Sequence, residues 1–155
     1  MSVTDAVAAR QSVATSVDPR GLRVAAGITA VVVGLVLALP SPAREVLLGV
    51  QVAVFAIAAF AGLARSPYSV FYQTVVRPRI GAPAELEDSR PPRFAQLVGF
   101  SFTAVALVAF LAGATTVGLV ATAFALIAAL LNASIGLCLG CELYLVLRRF
   151  TPVSA

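Results

Sequence analysis

The chain has no histidine, no lysine and no tryptophan, and charged residues make up only 12% of it. A water-soluble domain carries about 25% charged residues. With half that supply, most of this surface must face something other than water. A hydrophobic content of 60% and a mean hydropathy of +0.99 point the same way. The missing histidine removes the usual base for hydrolytic catalysis, and no serine stands in a Gly-x-Ser-x-Gly setting. It also leaves a zinc site short, because such sites take about four nitrogen or sulfur ligands and the chain has two cysteines. Only two copies pooling their thiols, or a partner domain, would complete one. No metal or other cofactor is therefore expected. Without lysine, all positive charge rests on arginine, giving +4 overall. The arginines flank apolar runs and no aromatic-plus-basic face accompanies them, so nucleic acid is excluded as a partner.

What is present is long apolar sequence. Four runs approach the roughly 20 residues needed to cross a bilayer core: about 22–39, 46–64, 94–114 and 117–137. Pro40 and Pro42 close the first, Arg65-Ser66-Pro67 the second, and Pro91-Pro92-Arg93 introduce the third. Gln51, Gln96, Ser101 and Thr103 interrupt the middle runs and are expected to bond to neighbouring helices. Apart from Arg23 at the edge of the first run, no ionisable residue lies inside a run, which argues against a transporter or pump. The first run is longer than the core of a secretory signal and follows a leader holding Asp5 and Asp18, so it is expected to be a retained helix.

Arg10, Arg20, Arg23, Arg65, Arg77, Arg79, Arg90, Arg93, Arg148 and Arg149 fall on one side of this pattern, and Arg44 alone on the other. Positive charge collects on the cytoplasmic side, so both termini and the 65–93 loop are expected there. The fold class is all-α: one integral membrane domain over 1–155, a polytopic four-helix transmembrane bundle whose surroundings are the lipid bilayer. Ala58 and Gly62, Ala109 and Gly113, and Ala125 and Ala129 place small residues four apart, a spacing that lets helices approach closely.

A shift of 74 aligns Thr29-Ala30-Val31 with Thr103-Ala104-Val105 and Gly62-Leu63 with Gly136-Leu137. Pro19-Arg20 and Pro92-Arg93 repeat at nearly the same shift. Two parallel duplicated hairpins would give this pattern; chance identity in alanine- and leucine-rich sequence is the alternative. After the second run, Tyr68, Phe71, Tyr72 and Val75 recur at helical spacing, as in a short amphipathic helix lying in the membrane interface. The segment "IGAPAELEDSRPPR" reads as a solvated linker, or else as a docking loop for a partner.

Both cysteines fall in "NASIGLCLGCELY" as a C-x-x-C. An unbroken helix from Val117 to Phe150 would run about 50 Å at 1.5 Å per residue, well beyond the bilayer core. The fourth span is thus expected to end between Asn132 and Leu137, with the turn on Gly136 to Gly140 and an interfacial segment over 138–150. Cys138 and Cys141 are the candidate catalytic, redox-active pair, with Asn132, Gly136, Gly140 and Glu142 in support. A thiol at the start of the last helix would have its thiolate stabilised by free amides and the helix dipole. Glu142 would oppose that charge, and Asn132 would bond to the carbonyls exposed at the break. Cysteine also packs as a small apolar residue, so plain packing is the competing reading.

"DPRGLR", "RSPY", "ELEDSRPPRFAQLVG" and "LNASIGLCLGCELY" together resemble a bacterial family of integral membrane proteins known as domain of unknown function 4395, from about Val17 to Arg149. The resemblance implies a small multi-pass protein of the bacterial inner (plasma) membrane whose cysteine pair belongs to the family pattern. It also implies association with soluble thioredoxin-like or sulfurtransferase proteins. The function expected is thiol redox or sulfur relay through a cytoplasmic-face C-x-x-C. The alternative is a non-catalytic accessory subunit of a larger membrane complex, in a homo- or hetero-oligomer.

Overall fold

A computed structural model describes residues 2–151. The expected 1–155 domain extends beyond these at both ends, and the Arg10 side chain also lies outside the description. Helix α1, Val3–Ala14, leads through a two-residue strand, β1 (Ser16–Val17), into four long helices. These are α2, Pro19–Ala38; α3, Ala43–Ala56, extended by a π-helical turn over Ile57–Ala61; α6, Arg90–Leu111; and α7, Thr115–Ile135. Between α3 and α6 come α4, Pro67–Phe71, a π turn at Tyr72–Val76, α5, Arg77–Ile80, and strand β2, Glu87–Asp88. Helix α8, Leu139–Phe150, follows α7.

The long helices begin two to four residues earlier than the apolar runs, for physical reasons. Asp18 caps α2 by accepting from the Arg20 amide, with Pro19 in the first turn. Pro91 and Pro92 lie inside the first turn of α6 and do not precede it. Proline is at home there, since its missing N–H would have no helical partner anyway. The 65–93 loop is largely structured. Strand β1 pairs antiparallel with β2, Val17 opposite Glu87, and the Ser89 amide donates to the Thr15 carbonyl.

Helices α2, α3, α6 and α7 close into a bundle, with α2 packed on α3 and α7, and α6 on the same two helices. Its core is Val36, Leu48, Ala106, Phe110 and Ala121. The outer surface is also apolar: Val31, Phe60, Val108 and Leu111 are all more than 60% exposed. All four helices are long and apolar enough to cross a membrane. A belt of this kind is stable only in an apolar solvent, as in a multi-pass membrane protein.

Three expectations about helix faces need correction. Gly62 and Gly113 make no close helix contact; each has a positive φ and sits in a turn. Ala58, Ala109 and Ala129 of the same spaced pairs are buried. Ser101 and Thr103 donate to carbonyls four residues back on their own helix. Gln51 does reach across, accepting from the Tyr68 hydroxyl at 2.6 Å. The anticipated single apolar face of the 67–80 segment splits: Tyr72 is buried against the bundle, while Phe71 and Val75 are exposed.

Candidate functional site

The site begins where α7 stops. Gly136 takes the left-handed conformation at φ 73°, which costs glycine nothing and other residues about 1 kcal/mol or more. Its amide donates to the Asn132 carbonyl and that of Leu137 to the Leu131 carbonyl. The chain then turns into α8, whose N-cap is Cys138. The turn occupies Gly136 to Cys138 only. Gly140 was expected to share it, yet it lies inside the first turn of α8. Its role is steric: a Cβ there would come within 2.6 Å of the Ala95 Cα and Cβ, so glycine lets α8 press directly on α6. Tyr144 stacks at 5.6 Å on Phe94 one turn further along.

This geometry brings the two cysteines together as a disulfide, with Cα atoms 5.2 Å apart. The Cys138 sulfur also accepts from the Cys141 amide at 3.3 Å. A thiolate at Cys138 would thus face the free N–H groups of a helix N-terminus, the arrangement that lowers a thiol pKa. Cys141 lies within the first turn of α8, and its amide is one of the N–H groups that face Cys138. Glu142 follows it, exposed, in the same first turn.

Asn132 does not serve the carbonyls at the break. Arg23 does, reaching from α2 to the Ser134 and Ala133 carbonyls at 2.9 and 3.3 Å. Arg93 repeats the device on the other hairpin, donating to the Ala59 and Phe60 carbonyls at 2.7 and 3.1 Å. Each arginine follows an aspartate–arginine pair. Asp18 accepts from both the amide and the side chain of Arg20, and Asp88 does the same for Arg90. The sequence signal was an Asp-x-Arg-x-x-Arg at 18–23 and again at 88–93, a shift of 70. The alignment at 74 hides it, because the second copy stands one helical turn further from its span.

Asn132 instead lines a partly open cavity of about 300 Å³ between α2, α3, α4, α6, α7 and the start of α8. Cys138 lines it too, as do Tyr68, Gln96 and Thr29. Burial raises the Tyr68 pKa, so the phenol stays protonated. Its hydroxyl donates to Gln51 Oε1, while Gln51 Nε2, fully buried, has no partner. Beside the bundle entry, burial pushes the Asp18 carboxyl up, but hydrogen bonds from Arg20 and Tyr72 outweigh it and hold the pKa below the usual value. Among the described residues no group of three or more His, Cys, Asp or Glu side chains is placed to hold a metal.

A four-helix apolar bundle with a disulfide at a helix N-terminus, its Cys138 lining a cavity among the helices, defines the class of protein. The family model for domain of unknown function 4395 matches residues 17–149, and the chain belongs to that family. No curated protein and no solved structure matches it.

Proposed function

We propose that the chain is a thiol redox or sulfur-relay component of the bacterial inner membrane, acting through Cys138 and Cys141. The observation that carries this is the disulfide closed at the N-cap of α8. Arg20, Arg23, Arg90 and Arg93 lie at the same end of the bundle as this pair, while Arg44 lies at the other. The positive-inside bias supports a cytoplasmic position for the disulfide and both termini. There, α8 and the 67–80 segment rest in the interface. Thiols in that compartment are kept reduced, so a cysteine pair that closes there is one that cycles.

Exchange is balanced without a cofactor. The Cys138 thiolate attacks one sulfur of a partner disulfide, forming a mixed disulfide and releasing the partner's other thiolate. Cys141 then attacks Cys138, the intramolecular bond forms, and the partner leaves as a dithiol. In the opposite direction, a soluble dithiol of thioredoxin-like type reopens the pair. The test is Cys141→Ser, which removes the resolving thiol and is expected to trap a mixed disulfide on Cys138 in native membranes. Cys138→Ser is expected to trap none. If neither variant traps a partner and a membrane-impermeant maleimide never reaches either thiol in inverted vesicles, the accessory-subunit reading takes its place.

A further inference from the structure

The cavity beside the disulfide has two unlike ends. Cys138, Tyr68, Gln96 and Asn132 supply sulfur, hydroxyl and amide groups to its lining. Gln96 neighbours Ala95, which packs on Gly140, and Asn132 is one turn before the α7 cap, so these amides share the arginine-bearing end with the sulfur. Phe102 lies six residues beyond Gln96 on α6, about 9 Å along the axis. There its ring meets that of Phe124 at 6.2 Å, and both side chains line the cavity while remaining on the apolar outer surface, at 41% and 57% exposure. A ligand matched to this space has a compact polar ring at the sulfur end and an apolar tail leaving between the two phenylalanines.

Tyr68 and Gln51 sharpen the chemistry. As placed, the phenol donates to Gln51 Oε1 and the buried Nε2 is orphaned, a costly arrangement. Turning the amide over lets Nε2 donate to the phenol oxygen and frees the phenol proton for a carbonyl in the cavity. Amide oxygen and nitrogen are assigned from such networks. In that orientation the phenol joins the Gln96 and Asn132 amides of the lining as a neutral hydrogen-bond donor, suited to an uncharged carbonyl more than to an anion.

We infer that this cavity binds a membrane quinone, which accepts electrons from the Cys138–Cys141 dithiol. The inference rests on the thiol reading above and names the pair's electron acceptor. Two S–H bonds break and one S–S bond forms. Two electrons and two protons pass to the quinone oxygens, giving the quinol. The regenerated disulfide is then free to oxidise another soluble dithiol, and the quinol leaves along the apolar exit into the bilayer.

The experiment uses the full chain in lipid nanodiscs, reduced and freed of excess reductant under anaerobic conditions. Decylubiquinone is the probe, because its fully substituted ring resists thiol addition. The expected result is one quinol formed for each two thiols lost. Ala128→Phe fills the lining between α7 and the exit without touching either cysteine. It is expected to slow this reaction at least tenfold and leave exchange with soluble thioredoxin unchanged. Because that variant could misfold, an azido-quinone is also photolysed on the unaltered protein, and label is expected on α6 and α7 peptides lining the cavity. Three results would overturn the inference: no quinol formed while thioredoxin exchange persists, label confined to the outer surface, or a phospholipid retained in the cavity that the quinone does not displace. Loss of thioredoxin exchange as well would sink the thiol reading itself.

Discussion

The two hairpins of the bundle solve the same structural problem with different residues. Under a shift of 74, α2 and α3 map onto α6 and α7, and the packing maps with them: α2 on α7 becomes α6 on α3. Thr29 and Thr103 are both buried, Gly62 and Gly136 both end their spans at positive φ, and Arg23 and Arg93 each cap the opposite hairpin. The exit segments differ. In the first half Tyr72 is buried on Gly21 and donates to Asp18 at 2.7 Å. In the second, Gly140 lies on Ala95 and the exit helix opens with Cys138 and Cys141, where the first half has Ala64 and Pro67. The shared features are scaffold. The cysteine pair stands where the two hairpins differ, so the comparison separates it from the residues that build the bundle.

The largest expected effect comes from forcing the two exit contacts to become alike. At Gly140 a Cβ would strike the Ala95 backbone at 2.6 Å, whereas at Gly21 it would meet the Tyr72 ring at 2.8 Å. A ring edge can move and a helix backbone cannot. Gly140→Ala is therefore expected to cost about 1–3 kcal/mol, the usual range for overpacking, and to loosen α8. Gly21→Ala is expected to be milder, since helix propensity returns up to about 1 kcal/mol. Thermal unfolding of both variants in nanodiscs, with maleimide labelling of the reduced thiols, separates the cases. Equal destabilisation, or unchanged labelling in Gly140→Ala, would contradict the contact described.

The crossed arginine caps come next. Arg93 makes a short, part-buried bond to Ala59, while the Arg23 bonds are exposed. Charged hydrogen bonds contribute about 1.5–3 kcal/mol, less where water competes. Arg93→Ala is expected to fall within that range and Arg23→Ala below it, read as shifts in denaturation midpoint. A larger loss from Arg23→Ala would show that the α7 end, and with it the disulfide turn, depends on this cap more than its exposure implies.

Backbone shape at the two closing glycines gives a smaller and more selective difference. Gly136 is in the left-handed helical region at φ 73° and ψ 13°, which asparagine tolerates. Gly62, at φ 113° and ψ 151°, lies where essentially only glycine goes. Gly136→Asn is expected to be near neutral and Gly62→Asn to cost about 1–3 kcal/mol. Comparable losses at both positions would mean that the two chain reversals are not held as described.

Much of this was legible in the residues. Run length and composition placed four helices, since a bilayer-spanning helix needs only apolar length, and the length argument located the break near Gly136. Arg23 and Arg93 were read only as topology signals because a cap on another hairpin's carbonyls has no local signature. Gly140 was read as a turn because sequence does not distinguish a glycine needed for φ from one needed for a close approach. Helical spacing groups Tyr72 with Phe71 and Val75 on one interfacial face, because it does not say which side of an amphipathic segment meets protein. The cavity has no signature in the sequence for the same reason: its lining comes from six helices and has no contiguous pattern.

The smallest effect concerns acid. Asp18 and Asp88 have the same pairing, but the Asp18 side chain is 12% exposed and that of Asp88 42%. At Asp18, burial opposes ionisation and the bonds from Arg20 and Tyr72 prevail; at Asp88 the Arg90 side chain is the main cause. Both carboxyls are held below the ordinary 3.8. A folded-state pKa below the unfolded one adds stability that is present above the unfolded value and lost as pH falls through the folded value. Both halves are therefore expected to weaken only in acid, below the ordinary carboxylate range. Solvent screens the exposed Asp88 pair more, so its share is the lesser. Asp18→Asn keeps a capping side chain while removing the charge, and is expected to flatten the acid limb of a midpoint-against-pH profile more than Asp88→Asn. An unchanged limb in Asp18→Asn would show that the Tyr72–Asp18 contact does not anchor the first exit segment electrostatically, leaving Gly21 as its anchor.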